Sequence, residues 1–387
     1  MKIFHTADWH LGKIVHGVSM LSEQRYILQQ FIEKIKEKKP HVVIIAGDLY
    51  DRAIPPSEAV DLLNEFLDEV VLSLNIPVIA IAGNHDSPSR LEFGSRLMQE
   101  KGFYITGQLD KKFQPIILED EFGPVHFYPV PYFDLGTVRH LYDDEAIETF
   151  DDAFKLIAGD ISASMDKNVR NVFIGHAFVT PHGEKRKNTS DSERILSIGG
   201  IEYVNAAHFK MFDYVALGHL HQAHFVKEEK IRYAGSPLKY SISEEHHQKG
   251  YFEVDLLKDG SCTIEKQTLV PRRDMRTVEG TIEEILNMEP SDDFVFVRLL
   301  NRSPVLSPME KVRSVFPNAL HLERPFDDMA RTEETFARKK QEKQSDFELF
   351  TAFYEEVKGF PPDERTLTLF REIVEELIIY EKETKND

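Results

Sequence analysis

The sequence predicts an α/β protein with two β-sheets, and three observations support this fold class. Short, almost wholly apolar runs alternate with amphipathic helical stretches over the first hundred residues, which is typical of a sheet buried on both faces. After about residue 113 the apolar runs lie closer together and short turns separate them, which indicates a second sheet. Small polar residues follow directly after several of the apolar runs, where such sheets collect their ligands.

Composition narrows the class of protein. The 387 residues are 41% hydrophobic and 29% charged, as expected for a soluble protein of two or three domains. The net charge of −19 argues against a surface that attracts nucleic acid broadly. Cys262 is the only cysteine, which excludes an intrachain disulfide and a thiolate metal site. No apolar run is long enough to span a bilayer and no signal peptide is evident, so we expect a cytoplasmic protein.

The first half of the chain is expected to alternate between strands and helices. Strands are predicted at 3–7, 42–46 and 76–81, with helices at 22–39 and 57–74 between them. Proline ends the first helix at Pro40 and marks the start of the second at Pro55 and Pro56. The polar residues that follow the three strands are Asp8 and His10, then Asp48, then Asn84, His85 and Asp86.

The second sheet repeats this arrangement. Strands are predicted at 115–118, 125–130, 171–174, 214–217 and 231–234. His176 follows the third of them, and His219 and His221 follow the fourth, each group after a glycine. Alternating strands between residues 251 and 270 close this region, so we place the end of a first domain at residue 270.

Beyond residue 270 the sequence predicts three smaller parts. Residues 271–326 contain helices near 282–288 and 308–316 and a strand at 294–300, which indicates a small α+β domain. Residues 327–344 are charged and read as a linker. Residues 345–387 contain two amphipathic helices that cannot bury their apolar faces alone. We expect them to dock on a partner, the alternative being that they fold back on their own domain.

The polar residues at the strand ends suit a metal site. The seven candidates are Asp8, His10, Asp48, Asn84, His176, His219 and His221. Oxygen and imidazole donors without sulfur favour manganese, iron or zinc in a hydrolytic site over a structural zinc. Seven donors are too many for one ion and suit two. Each motif alone is more typical of a turn or a core histidine, but their repetition at successive strand ends favours the metal site.

This series, D-x-H, G-D, G-N-H-D, G-H and G-H-x-H, resembles the calcineurin-like metallophosphoesterases. The opening segment TADWHLGK at 6–13 is similar to the DNA repair nucleases of that family, and the resemblance weakens after about residue 240. It implies a sandwich of two mixed β-sheets flanked by helices over 1–270, a capping and DNA-binding domain over 271–326, a linker over 327–344 and a helical tail over 345–387.

The resemblance also implies roles for individual residues. Asp8, His10 and His221 would hold one Mn²⁺, Asn84, His176 and His219 the other, and Asp48 would bridge them, with Mg²⁺, Fe²⁺ or Zn²⁺ as alternatives. His85 would contact the scissile phosphate and protonate the leaving oxygen, with Asp86 orienting its ring. Some relatives carry a second histidine three residues after the bridging aspartate. The corresponding residue here is Asp51, whose role the resemblance leaves open.

The activity implied is that of an ATP-gated, manganese-dependent nuclease in DNA repair and recombination, acting on double-stranded ends, single strands and hairpins. The partners implied are DNA, a coiled-coil ATPase that binds 345–387, and a second copy of the chain through helices near 57–74 and 87–101. The best candidate DNA contacts are the basic residues Lys13, Arg90, Lys185, Arg186 and Lys187, although the last three equally suit a solvated loop. The alternatives are a small-molecule phosphodiesterase or nucleotidase on the same metal centre, and a non-catalytic scaffold for DNA ends.

Overall fold

The computed structural model describes residues 1–182 and 203–325, together with residues 350, 351, 354, 355, 358, 360–363 and 365–370. The predicted linker, most of the tail, and Lys185, Arg186 and Lys187 lie outside these residues. The chain divides into two compact units, Met1–Arg298 with Val305–Glu323, and Leu299–Pro304 with Arg324–Asp387. In the second unit the rings of Phe350 and Phe370 stack with centroids 4.0 Å apart. Among the described residues, no helix is long and apolar enough to cross a membrane.

The first hundred residues alternate between strands and helices as predicted. The elements are β1 (Lys2–Thr6), β2 (Ile14–Val15), β3 (Val18–Ser19), α1 (Leu21–Lys38), β4 (Val42–Ile45), α2 (Ser57–Leu67), β5 (Val78–Ile81), α3 (Pro88–Glu92), α4 (Ser95–Gln99) and β6 (Phe103–Thr106). Helix α1 ends at Lys38 and is followed by Lys39 in a left-handed conformation. The next residue, Pro40, disfavours the helical region for the residue before it, which ends the helix here. The helix predicted at 57–74 continues beyond α2 as a π-helical segment, Asp68–Ser73.

The next part of the chain builds the second sheet and closes the first. The elements are β7 (Ile116–Asp120), β8 (Gly123–Val130), α5 (Leu135–Tyr142), α6 (Phe150–Ser164), β9 (Arg170–His176), β10 (Phe178–Thr180), β11 (Tyr203–Asn205), β12 (Tyr214–Gly218), β13 (His224–Val226), β14 (Glu228–Tyr233), β15 (Gly250–Leu256) and β16 (Cys262–Thr268). Helix α6 begins with a capping box in which Thr149 and Asp152 exchange hydrogen bonds.

Both large sheets are mixed, as predicted. The first has the strand order β16-β15-β1-β4-β5-β6. Strands β1, β4, β5 and β6 are parallel to one another, and β15 is antiparallel to both of its neighbours, β1 and β16. The second has the order β13-β14-β12-β9-β8-β7, with a parallel centre and an antiparallel strand at each edge.

The two sheets pack face to face and form a sandwich. Ile44 and Ile79 of the first sheet share one buried cluster with Phe127 and Ile174 of the second. Successive side chains of a strand point to opposite faces of the sheet, so each sheet has a second apolar face. That face, which is turned away from the other sheet, is covered by helices. The carboxyl ends of the parallel strands of both sheets therefore lie on one side of the sandwich.

Trp9, the single tryptophan of the chain, packs between β1 and α2. Its ring meets Phe66 edge-on with centroids 4.8 Å apart, and its indole N–H donates to the Thr6 hydroxyl at 2.9 Å. Because Trp9 is fully buried, the loop that follows β1 is anchored to the helical layer.

A small sheet module follows, which we define as residues 275–323. It comprises β17 (Met275–Gly280), α7 (Ile282–Leu286), β18 (Phe294–Leu299), α8 (Pro308–Arg313) and β19 (Ala319–Glu323). The three strands form one sheet in the order β17-β18-β19. The prediction of an α+β arrangement included the two helices and β18, but not β17 and β19 as separate strands.

Candidate metal centre

The seven predicted ligands lie at the carboxyl ends of five strands drawn from both sheets. Asp8 and His10 follow β1, Asp48 follows β4 and Asn84 follows β5 in the first sheet. His176 ends β9, and His219 and His221 follow β12 in the second sheet. All are buried except Asn84, which is half-buried. The side chains of the two sheets therefore face one another across one cleft.

Donor atoms from opposite sheets lie in contact. His10 Nε2 lies 3.0 Å from His221 Nε2, and His176 Nε2 lies 3.4 Å from Asp48 Oδ2. Asp8, His10 and His221 each offer a ligand atom within 4.8 Å of the others, and so do Asp8, Asp48 and His176. Asp8 thus belongs to both groups.

The remaining two candidates adjoin this cluster. The Asn84 Oδ1 lies 3.0 Å from His176 Nε2, and the His219 ring centroid lies 5.4 Å from that of His176. The His219 backbone N–H donates to Asp8 Oδ1 at 2.9 Å. The predicted ligands therefore form one continuous cluster.

The chemistry of the cluster fits metal ions. His221 Nδ1 lies 3.0 Å from Glu244 Oε1, and His176 Nδ1 lies 2.9 Å from the Ala46 carbonyl oxygen. Because both oxygens are acceptors, each Nδ1 carries a proton, and in the neutral ring each Nε2 presents its lone pair to the cleft. Those lone pairs face another imidazole nitrogen and a carboxylate. Such a grouping of nitrogen and carboxylate atoms is stabilised by a proton shared between them or by a metal ion among them.

The electrostatics lead to the same conclusion. Burial lowers the pKa of His176, but the neighbouring Asp48 and Asp8 carboxylates and the Ala46 carbonyl together outweigh burial and raise that pKa to about 9. Burial lowers the pKa of His10, His219 and His221, which keeps these imidazoles in the neutral form that binds metals. The carboxylates of the cluster require nearby positive charge, which a proton or a metal ion supplies.

The backbone is strained where the ligands are presented. Asp8, His10, Asp48 and His219 have φ angles of 54°, 46°, 52° and 101°, a region that residues other than glycine rarely adopt. Non-glycine residues held there cost on the order of 1–3 kcal/mol each and persist only where the surrounding fold enforces them. The two sheets therefore hold these four residues in place at the expense of stability.

Glycines allow the strand ends to approach closely. A Cβ added at Gly83 would lie 2.2 Å from Asp48 Oδ1, and one added at Gly218 would lie 1.9 Å from the Ala46 carbonyl oxygen. Neither position accepts a side chain without moving the backbone or a predicted ligand. The recurring glycines of the motifs thus permit the cluster to close.

His85 and Asp86 lie beside the cluster, but their relation differs from the prediction. His85 Nδ1 lies 2.9 Å from the Asp51 carbonyl oxygen, and its backbone N–H donates to Asp48 Oδ1 at 2.9 Å. Asp86 instead accepts backbone N–H groups of Leu49, Tyr50 and Gly83 at 3.1, 2.9 and 2.9 Å. The prediction that Asp86 orients the His85 ring is therefore wrong, because the Asp51 main chain fills that role and Asp86 braces the two loops.

Asp51 and the candidate DNA contacts also have defined positions. Asp51 Oδ1 lies 2.8 Å from Lys13 Nζ and 3.7 Å from His10 Nδ1. Lys13 is thus neutralised by a carboxylate next to the cluster. Arg90 is exposed on α3. The other three basic candidates lie outside the described residues.

Four residues that support the cluster were not predicted. Glu244 contacts His221 as described, and Lys249 Nζ lies 2.5 Å from Glu244 Oε2 and donates to the His221 carbonyl at 2.9 Å. Gln24 donates to the His10 carbonyl at 2.8 Å and to the Tyr240 hydroxyl at 3.1 Å. No local pattern marks these residues, since each acts through a contact far along the chain.

Comparison with known proteins agrees with this geometry. Residues 1–223 match the family model described as calcineurin-like phosphoesterase, and residues 271–358 match one described as type 5 capsule protein repressor C-terminal domain. The SbcD subunit of the nuclease SbcCD from Staphylococcus epidermidis is 37% identical over 358 residues, which cover 92% of this chain and 92% of that protein.

Two solved structures are similar at lower levels. A protein of Thermus thermophilus is 12% identical with a TM-score of 0.40, covering 68% of this chain and 98% of that one. A dimetal phosphatase of Danio rerio is 12% identical with a TM-score of 0.41, covering 70% and 96%.

The family model covers more than half of the chain, and the staphylococcal relative matches it nearly end to end. The predicted family is confirmed. The chain belongs to the calcineurin-like phosphoesterases, a family of metal-dependent hydrolases, and within them to the family of the SbcD subunit of the nuclease SbcCD.

Proposed function

We propose that the chain is the nuclease subunit of a DNA repair and recombination complex, cleaving DNA phosphodiester bonds with manganese under the control of an ATPase. The observation that carries this proposal is the contact of donor atoms from opposite sheets, His10 with His221 and His176 with Asp48, beside the imidazole of His85. The proposed activities are exonuclease on double-stranded ends and endonuclease on single strands and hairpins.

The seven clustered side chains would hold two divalent ions. Asp8, His10 and His221 would bind one ion, Asn84, His176 and His219 the other, and Asp48 would contact both. Donor atoms of the first set lie within 4.8 Å of one another, which supports that set. Donor atoms of Asp48 and His176 lie within the same distance of each other and of Asp8, which supports placing Asp48 and His176 at one ion. Nitrogen and oxygen donors suit Mn²⁺, and Mg²⁺, Fe²⁺ or Zn²⁺ are the alternatives. When bound, two such ions activate water and neutralise charge that develops on the phosphate.

His85 is the proposed general acid. Its Nδ1 donates to the Asp51 carbonyl, which fixes the ring and leaves Nε2 to deliver a proton to the leaving oxygen. The ring also packs edge-on against His10, with centroids 4.6 Å apart, so the proton donor is held next to a predicted ligand. Half-burial leaves the imidazole accessible to a bound phosphodiester.

The remaining proposals concern partners. Because the net charge is −19, DNA would be held by local contacts, with Lys13 and Arg90 as described candidates, rather than by a broad field. The relative's name describes one subunit of a complex. We propose an SbcC-like coiled-coil ATPase as the partner of residues 345–387 and a cytoplasmic, nucleoid-associated complex.

The test is Asp48→Asn in the full chain with its ATPase partner. Cleavage of a labelled duplex with Mn²⁺ should fall by more than about 100-fold. Substitution of a residue that only supports a metal ligand typically costs up to about 100-fold in activity, and Asp48 is itself a proposed ligand. Asp259→Asn, the same substitution at an exposed turn, should cleave at the wild-type rate. Native cleavage by Asp48→Asn would refute the proposal.

Further substrates separate the alternatives. Wild-type protein should cut blunt duplex, hairpin and single-stranded circular DNA, and a chelator should abolish each activity. Hydrolysis of nucleotides without cleavage of DNA would indicate the small-molecule phosphodiesterase. Binding of DNA ends without hydrolysis of either substrate would indicate the scaffold.

A further inference from the structure

Two pairs of adjacent residues lie between the metal cluster and the small sheet module. One pair, Glu244 and Glu245, is at the end of a 3₁₀ turn, Ile242–Glu244. The other, Glu23 and Gln24, is in the first turns of α1. In each pair one residue supports a predicted ligand, and its chain neighbour binds the segment that begins the module.

The pair at the 3₁₀ turn reaches His221. Glu244 is fully buried and accepts from His221 Nδ1 at 3.0 Å, which directs His221 Nε2 toward His10. Lys249 balances the Glu244 charge at 2.5 Å. On the other side of the peptide bond, Glu245 accepts from the backbone N–H of Thr277 at 3.0 Å and from the Thr277 hydroxyl. Thr277 is part of β17.

The pair in α1 reaches His10. Gln24 donates to the His10 carbonyl at 2.8 Å and accepts from the Gly12 N–H at 3.0 Å, so it holds the loop that presents His10. Glu23 is buried and pairs with Arg272 at 2.5 Å and with Arg273. These two arginines precede β17, with Asp274 between them and the strand.

The other half of the cluster lacks this arrangement. His176 Nδ1 bonds the Ala46 carbonyl of the first sheet, and the Asn84 loop is braced by Asp86 through the N–H groups of Leu49 and Tyr50. In the part of the chain that the structure describes, these supports all come from the sandwich. Among the described residues, the supports whose chain neighbours contact residues 272–277 are those of His10 and His221.

We infer that docking of residues 272–277 and metal binding by the His10 and His221 half are coupled, and that Glu244 and Gln24 are the positioning residues through which the coupling acts. Displacement of β17 moves Glu245 and Glu23. Because these residues are adjacent in sequence to Glu244 and Gln24, His221 and the loop that carries His10 then shift as well. Because coupling between two sites is reciprocal, metal in this half also stabilises the docked module. The inference rests on the proposed two-metal site.

The first experiment measures Mn²⁺ binding to the full chain by calorimetry, without DNA. In the variant Arg273→Gln/Thr277→Val, one of the two Mn²⁺ sites should bind about 5-fold more weakly, the lower end of typical coupling factors, and the other should change by less than about twofold. Arg313→Gln is the matched control, since the described hydrogen bond of the Arg313 guanidinium is to the Ala319 carbonyl of the module itself.

The second experiment tests reciprocity by hydrogen exchange. Mn²⁺ should slow amide exchange across β17 in the wild type, and Glu244→Gln should remove that protection while the fold of the sandwich, read from its core amides, is retained. A merely structural role for Glu244 would not link Mn²⁺ to exchange in β17.

Each outcome has one interpretation. Unchanged Mn²⁺ affinity in Arg273→Gln/Thr277→Val, or equal weakening of both sites, overturns the coupling while leaving the proposed function intact. Absence of Mn²⁺ binding to the wild type overturns the proposed function, and the coupling with it. Weakening of one site together with loss of β17 protection in Glu244→Gln supports the inference.

Discussion

At the scale of single residues, Asp51 connects three groups of the proposed site from one position. Its carboxylate pairs with Lys13 and lies 3.7 Å from His10 Nδ1, and its carbonyl holds the His85 ring. The main-chain contact does not depend on the side chain. The carboxylate can therefore be changed without releasing His85, which separates its charge from the proposed proton transfer.

Asp51→Asn should lower the KM for DNA by about 2- to 5-fold at about 50 mM salt, because Lys13 is no longer neutralised and each added phosphate contact strengthens binding. The effect should shrink at about 200 mM salt, and kcat should change by less than about threefold. Steady-state cleavage at both salt concentrations checks this, with Asp259→Asn as the matched control. A fall in kcat of more than about tenfold would instead give the Asp51 carboxylate a direct part in the reaction.

At the scale of secondary structure, a buried ion pair joins β7 to β9 across the second sheet. Arg170 donates to both carboxylate oxygens of Asp120 at 2.5 and 2.8 Å, and neither side chain is more than 5% exposed. Arg170 lowers the pKa of Asp120 against the opposing effect of burial. The pair fixes an edge strand that otherwise has few buried side chains.

Asp120→Asn should reduce the free energy of unfolding by about 3 kcal/mol at neutral pH, because it removes the carboxylate that pairs with both the buried Arg170 guanidinium and the N-terminal ammonium group. A lowered carboxyl pKa stabilises the fold fully above the unfolded value of about 4, and that stabilisation is lost as the pH falls below it. Urea unfolding from about pH 7 to pH 3 should therefore show the gap between wild type and variant closing below about pH 4. A constant gap would contradict the assignment.

Most strands, and the ligands at their ends, were predictable from local sequence. Apolar runs marked β1, β4, β5, β9 and β12 to within three residues, and the polar residues after each run, most of them preceded by a glycine, marked the candidate ligands. Glu244 was not predictable, because its partner His221 is 23 residues away and its own segment has no periodicity. The Asp86 role was mistaken for the same reason: sequence adjacency to His85 does not show that the distant amides of Leu49 and Tyr50, together with that of Gly83, occupy its carboxylate.

At the scale of the whole molecule, the second of the two segments predicted for self-association, near 87–101, carries apolar side chains that its own fold leaves exposed, whereas α2 in the first segment buries its apolar side chains. Phe93 and Leu97 are 84% and 75% exposed, and α3 and α4 contain no buried residue. Contiguous exposed apolar patches on a protein mark interaction surfaces. We propose that they form the homodimer contact, next to the loop that carries Asn84 and His85.

Phe93→Glu should convert the chain from a dimer to a monomer, because it places a charge in an interface that depends on apolar burial. Light scattering should give about twice the chain mass of 44.7 kDa for the wild type and that mass for the variant. Leu257→Glu, at a 45% exposed turn of the first sheet, should remain dimeric. A monomeric wild type, or a dimeric Phe93→Glu, would exclude this surface.

The position of Trp9 makes its intrinsic fluorescence a probe of the proposed metal site. The fluorescence of the only indole in the chain arises between two predicted ligands, from a ring packed against Phe66 and shielded from water. An ion with unpaired electrons, such as Mn²⁺, quenches a fluorophore this close, whereas Mg²⁺ and Zn²⁺ have no unpaired electrons. Emission intensity would thus distinguish these metals in the cleft without a label, and in the presence of DNA or a partner that contains no tryptophan.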